Sequence, residues 1–315
     1  MSPDPFAPFL AAQGFAVLDG GLATALEGAG HDLRTPLWSA RLVLEDPDAV
    51  REVHRSYLEA GADCITTAGY QASFEGLMAT GLDRARSERV LREAVQLAVE
   101  ARDAFWAVPA NRAGRLRPIV AASAGPYGAY LADGSEYRGR YGVSRDVLER
   151  FHGARLDVLC DTPADVVAFE TIPSGEEAFV VAALLEARPE ARAWVSFSCR
   201  DSESLRDGTP IAAAARSCSF AEAVVSVGVN CTAPRHVRGL VERLAVRTDL
   251  PVIAYPNSGE RWDAEGRAWV GEADAWLDDV ASWVGAGARV VGGCCRVGPR
   301  EIREVRARLA TLQGP

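Results

Sequence analysis

Long apolar runs are missing from this 315-residue chain. Nothing approaches ~20 uninterrupted apolar residues, so no membrane-spanning helix is expected. The opening "MSPDPFAPFLAAQGFAVLDGG" lacks a basic segment ahead of an apolar core and does not read as a secretory signal. A basic face is missing too: the net charge is −9, with acidic residues spread along the chain, which argues against a nucleic-acid footprint. Histidine is scarce, and none of the four has the paired helical spacing of a histidine-based zinc hydrolase. No GxGxxG turn follows the first strand-like segment, where "LDGGLATALEG" stands instead. Without a secretory signal the chain is expected to be cytosolic. Its seven cysteines would then be reduced, serving as core residues, metal ligands or nucleophiles.

What is present is an alternation. Short apolar, β-branched runs are each followed by a longer amphipathic segment. The runs are Phe15–Gly21, Cys64–Gln71, "RPIVAASAG", Val166–Ile172, Arg192–Cys199, Ala223–Cys231, Leu250–Gly259 and Ala288–Cys295. Helix signals fall between them: Asp46 as a cap with Pro47 at the first helical position, Thr209 as a cap before Pro210, and a helix opening at Ser144. Near-continuous apolar runs suit strands buried on both faces of a parallel sheet. Eight strand–helix units with no break in composition predict a (β/α)8 TIM barrel, one α/β domain spanning residues 1–315. A doubly wound open sheet is the second choice. One connection stands out, the Gly- and Tyr-rich stretch Pro126–Gly142, which is too long for a mere connector.

The unusual residues cluster at strand ends. Asp19-Gly20-Gly21 ends the first, Tyr70-Gln71 the second, Glu170-Thr171 the fourth, Asn230-Cys231 the sixth and Cys294-Cys295 the eighth. In a parallel barrel the C-terminal strand ends share one face, so three thiols and two carboxylates would meet there. Three thiolates suit Zn²⁺, which binds sulfur at ~2.3 Å and keeps a fourth position open in catalytic sites. Adjacent residues of a regular strand point to opposite sides. Gly292 and Gly293 are therefore expected to bend the chain through backbone angles closed to other residues, turning both sulfurs inward.

Plainer readings exist for each residue. A cysteine at a strand end is often a small core residue, and Cys294-Cys295 could form a vicinal disulfide. Cys64, Cys160, Cys199 and Cys218 are assigned to packing. Asp19 before two glycines could be a turn residue. Glu170, at the end of a buried strand, would be costly to bury unpaired. It should face either an internal Arg or a ligand's ammonium.

These residues carry a resemblance. The segments "LDGGLATALE", "TTAGYQASFEG", "AGPYGAYLADGSEYRGRYG", "FETIPSGEEA", "VGVNCTAP" and "VGGCCRVGP" cover essentially the whole chain. In that order they resemble the zinc-dependent homocysteine S-methyltransferases, most closely the branch using S-methylmethionine or S-adenosylmethionine. The resemblance implies a barrel with Zn²⁺ on Cys231, Cys294 and Cys295, and methyl transfer from a sulfonium to L-homocysteine, giving methionine. It implies that Asp19, Glu170, Gly20 and Gly21 hold homocysteine's amino-acid end. It places Gln71 near the metal, where betaine-using relatives have a tyrosine, and Asn230 among the substrate residues. Tyr127 and Tyr130, with Tyr137 and Tyr141, would offer ring faces to the cationic donor. Two departures stand out: Val297-Gly298-Pro299 replaces Thr-Thr-Pro, and Ala68-Gly69 replaces Asn and a hydroxyl residue. The competing readings are a betaine-dependent homocysteine methyltransferase and a non-catalytic zinc-thiolate protein. A module of a cobalamin-dependent methionine synthase would need a further domain. No nucleic-acid, membrane or obligate protein partner is implied.

Overall fold

The computed structural model describes residues 4–33, 37–263 and 268–312. Eight parallel strands are present: β1 (Ala16–Val17), β2 (Cys64–Thr66), β3 (Ile119–Ala124), β4 (Val166–Ile172), β5 (Ala193–Phe197), β6 (Val224–Asn230), β7 (Val252–Tyr255) and β8 (Ala288–Val291). They pair in the order β1-β8-β7-β6-β5-β4-β3-β2. A parallel bridge between Leu18 and Cys64 joins the two ends of that series. This bridge separates a (β/α)8 barrel from a doubly wound open sheet, which would leave two free edges.

The continuous apolar runs are explained by two cores. Alternate residues of β4 face inward, Val166 and Ala168 among them, and meet Ala121, Trp194, Ile253 and Val290 inside the barrel. The others, Val167 and Phe169, face the surrounding helices. All seven residues of β4 and of β6 are buried. A helix that the sequence pattern did not reveal, Ala7–Gln13, brings Phe6 and Phe9 against the interior residues. Phe6 packs on Trp194 with ring centroids 5.8 Å apart and closes the N-terminal end of the barrel.

Several helix starts carry a side-chain cap. Asp46 accepts from Ala49 N at 3.1 Å to open Pro47–Ala60, and Asp83 accepts from Arg86 N at 2.7 Å to open Arg84–Ala107. Thr209 differs: Pro210 is the cap of Ile211–Cys218, and the Thr209 hydroxyl donates instead to Asp207 at 3.0 Å. Strands end earlier than their apolar runs suggest. β2 stops at Thr66 and β8 at Val291, so Gln71 and the cysteine pair lie in the turns beyond. The Pro126–Gly142 connection is partly ordered, with a helix at Tyr127–Leu131 and a 3-10 turn at Ser135–Tyr137. Two short antiparallel strands, Arg261–Asp263 and Ala268–Val270, follow β7 outside the barrel. Among the described residues no helix is long and apolar enough to cross a membrane.

Candidate metal and substrate site

A cavity of about 590 Å³ lies at the C-terminal ends of the strands, and Cys231, Cys294 and Cys295 line it. Backbone bonds to the end of β7 gather the cysteines. Cys231 N donates to Tyr255 O at 3.2 Å, and Cys294 N donates to Pro256 O at 2.7 Å. The sulfurs of Cys231 and Cys295 are 3.7 Å apart, and those of Cys294 and Cys295 are 4.0 Å apart. Four-coordinate tetrahedral binding at ~2.3 Å would set sulfurs ~3.8 Å apart, so the three residues fit a zinc ion. The spacing is also too long for a disulfide, whose sulfurs bond at about 2.05 Å. Among the described residues no fourth His, Cys, Asp or Glu joins this group. Hydrogen bonds from Cys294 and Cys295 hold the Cys231 thiol well below its usual range, and those two thiols are pushed up in return.

The bend that turns the sulfurs inward has a different origin from the one expected. Gly292 and Gly293 do not have positive φ; the left-handed residues are Cys231 at φ 46° and Arg296 at φ 65°. The glycines serve close packing. A Cβ on Gly293 would lie 2.1 Å from Val297 Cγ1, and one on Gly292 would lie 2.6 Å from Leu18 Cβ. Val297 itself is fully buried, and its carbonyl accepts from Gly21 N at 2.9 Å and from Tyr57 OH at 3.1 Å. The departure at that position is therefore absorbed beneath the site. Gly69 is similarly constrained, because a Cβ there would lie 2.5 Å from Ser123 O.

Asp19 and Glu170 both line the cavity wall. Asp19 is 2% exposed; its oxygens accept from Thr66 N at 2.7 Å and from the Thr66 hydroxyl at 2.9 Å. Glu170 is 8% exposed and accepts from Ser123 Oγ and, at 3.1 Å, from Tyr255 OH. Neither forms an ion pair among the described residues, so of the two partners considered for Glu170 the internal Arg is not found there. Burial pushes Asp19 well above the usual carboxylate range. Burial, then the Cys294 charge, pushes Glu170 up to about 7. Gly20 and Gly21 also line the cavity. The Gly21 N–H is committed to Val297, which leaves Gly20 as the backbone donor of the two.

Asn230 lies outside the cavity lining. It is fully buried beneath the site. Its Oδ1 accepts from Thr171 N at 2.8 Å and from Ser196 Oγ at 2.9 Å. Its Nδ2 donates to Thr171 Oγ1 at 2.7 Å and to Cys294 Sγ at 3.9 Å. It orients a sulfur and clamps Thr171, whose φ of 63° is unusual for a β-branched residue. Gln71 does line the cavity, with Nε2 donating to Ala129 O at 3.2 Å.

Tyr127 and Tyr130 do not line the cavity. They pack edge-on to each other and against Phe151 of helix Arg145–Cys160, with centroids 5.0–5.7 Å apart. Tyr141 joins Tyr127 there, and only Tyr137 of the four reaches the cavity. The cavity's other aromatic walls are Trp38, Tyr70 and Tyr255, along with Trp269. No periodic signal marks Trp38 or Tyr255 as site residues, because each sits in an ordinary apolar stretch. Cys64, Cys199 and Cys218 are buried as expected, whereas Cys160 is exposed at the end of its helix.

Residues 16–309 match the family described as Homocysteine S-methyltransferase. The homocysteine S-methyltransferase YbgG of Bacillus subtilis is 45% identical over 94% of this chain and 95% of its own. The homocysteine S-methyltransferase of Escherichia coli is 45% identical over 97% and 98%. A selenocysteine Se-methyltransferase of Brassica oleracea is 44% identical over 95% and 90%. The crystal structure of the homocysteine methyltransferase MmuM from Escherichia coli in its metallated form superposes with a TM-score of 0.87 at 43% identity, covering 96% of this chain and 99% of that one.

Proposed function

The chain belongs to the homocysteine S-methyltransferase family, and from that premise we propose that it transfers a methyl group from a sulfonium donor to the sulfur of L-homocysteine, giving methionine, with Zn²⁺ held by Cys231, Cys294 and Cys295. The observation that carries this reading is the convergence of three sulfurs at one point of the cavity wall without a fourth protein ligand among the described residues. When bound there, zinc supplies a vacant coordination position and deprotonates a thiol whose ordinary pKa is ~8.5.

The chain's own residues supply the rest. Asp19 and Glu170 are buried carboxylates with no cation partner among the described residues, and an unpaired buried charge is costly. An incoming α-ammonium relieves both, and the free Gly20 N–H suits the adjoining carboxylate. Asn230 acts through Cys294 and is a positioning residue. Trp38 and Tyr70 offer rings to a sulfonium, whereas the Tyr137 ring already carries the Arg206 guanidinium 5.5 Å from its centroid.

In the reaction a bond forms from the homocysteine sulfur to the methyl carbon as the donor's sulfur–methyl bond breaks. The bonding pair stays on the donor sulfur, which leaves as a neutral thioether, so no general acid is needed. The thiol proton is released to solvent. Holding three atoms in line is worth ~7–11 kcal/mol of barrier.

A structural zinc-thiolate site would be closed by four ligands, so three convergent cysteines favour catalysis. The test is to incubate zinc-loaded protein and L-homocysteine with S-methylmethionine, S-adenosylmethionine and betaine in parallel, and to measure methionine. Formation from a sulfonium supports the proposal. Formation from betaine alone moves the chain to the betaine-using branch, and no methionine from any donor overturns the methyl-transfer reading.

A further inference from the structure

The assignments above leave three further carboxylates of the cavity lining unused, Glu27, Asp133 and Glu136. Glu136 lies in the 3-10 turn Ser135–Tyr137 and lines the cavity beside Tyr137. Its Oε2 is buried and has no hydrogen-bond partner. The nearby cation, Arg138, is already engaged: it pairs with Asp133 at 3.3 Å and donates to Ser135 Oγ at 2.8 Å. Gln71 presents a second unpartnered acceptor. Its Nε2 is fixed on Ala129 O, which leaves a buried Oε1 with no donor.

Both acceptors are anchored beside Gly128 and Ala129: Gln71 Nε2 donates to Ala129 O at 3.2 Å, and a Cβ on Gly128 would lie 2.5 Å from Glu136 N. Glu136 lines the cavity together with Tyr70, Tyr137 and Cys231. Asp19 and Glu170 have hydrogen-bond donors of their own, Thr66 for the first and Ser123 and Tyr255 for the second, whereas Glu136 Oε2 has none. Two buried acceptors left unmet each carry a desolvation cost, and an ammonium brings three donors that satisfy both.

We propose that Glu136 and the Gln71 carbonyl bind the α-ammonium of the methyl donor. This deepens the function proposed above and rests on it. Each substrate would enter by its own ammonium, homocysteine at Asp19 and Glu170 and the donor at Glu136. Their two sulfur ends would meet at Cys231, Cys294 and Cys295. A quaternary ammonium such as betaine has no N–H to offer Glu136. The turn is held ready, because both ends of its segment are tied to one buried carboxylate: Tyr127 N donates to Glu177 at 2.6 Å and Tyr141 OH at 2.8 Å.

The experiment compares S-methylmethionine with its des-amino counterpart, which keeps the sulfonium and carboxylate but lacks the ammonium. Both are assayed with zinc-loaded wild type and Glu136→Gln. In the variant, KM for S-methylmethionine should rise about tenfold or more, while KM for homocysteine and the kinetics with the des-amino donor stay unchanged. Glu136→Asp should recover part of the loss. Glu136→Gln keeps the side-chain shape and removes an unpaired buried charge, so its thermal midpoint should not fall below that of wild type. An equal loss with both donors, or a raised KM for homocysteine, overturns the assignment. If the wild type accepts no sulfonium, the proposed function fails by itself. Calorimetric titration of S-methylmethionine then decides the subsite: weaker binding by Glu136→Gln upholds it, and equal binding rejects it.

Discussion

The sulfurs of Cys231 and Cys295 stand 3.7 Å apart, although 64 positions separate them in the chain. Their contact exists only because β6 and β8 flank β7 in the barrel. Cys231→Ala should therefore remove metal as well as turnover. The wild type should retain one zinc per chain after dialysis against a weak chelator, Cys231→Ala none, and Cys160→Ala, altered at an exposed thiol, the full amount. Metal analysis of the three proteins checks this.

Glu170 gives a pH dependence whose sign is fixed. Its folded pKa of about 7 lies above the ordinary 4.5, so the folded state holds the extra proton. The stability that this proton contributes is full below 4.5 and is lost as pH rises through about 7. The loss amounts to about 3 kcal/mol. Glu170→Gln should match wild type near pH 4.5 and be the more stable protein at pH 8, by urea unfolding of metal-stripped samples. The same variant should bind homocysteine about tenfold or more weakly, because the charge that meets the ammonium is gone.

Asn230→Ala would strip partners from Thr171 N and Thr171 Oγ1 at a fully buried position, while Ser196 Oγ keeps Tyr255 OH. A loss of about 2–4 kcal/mol in unfolding free energy is expected, since each orphaned buried group costs about 1–3 kcal/mol. Zinc affinity should fall as well, because the donor to Cys294 disappears. Asn230→Asp would keep the acceptor but lose that donor, so it should separate the two effects.

Glu177 is buried where Tyr127 N, Tyr141 OH and His152 Nε2 converge on its carboxylate. Glu177→Gln should loosen the segment between Tyr127 and Tyr141, which carries Glu136 and Tyr137. Hydrogen exchange should quicken in that segment and not in β6 or β8. Donor KM should rise more than homocysteine KM, a split that a uniform loss of folded protein would not produce.

The barrel and its strand count were legible because the signal is local. A run such as Val166–Phe169 is apolar on both faces, and only a strand buried on both faces needs that. The termini of those strands were less legible. Hydrophobicity continues past Thr66 and Val291, where the backbone has already left the sheet to line the cavity. The helix Ala7–Gln13 gave no clear period because its buried aromatics, Phe6 and Phe9, answer to the barrel floor.

The order of strands, the supply of thiols and carboxylates at their ends, and the family resemblance were thus determined by the sequence alone. Each depends on residues close together in the chain, or on their order along it. Tertiary structure alone decided where side chains turn. It set Cys231 at φ 46°, spent Gly292 and Gly293 on close packing, and placed Asn230 behind Cys294. It turned Tyr127 and Tyr130 onto Phe151 and left Glu136 facing the cavity without a partner. A side chain's direction follows from which neighbours compete for its surface and its hydrogen bonds. In a closed barrel those neighbours come from strands and helices far away in sequence.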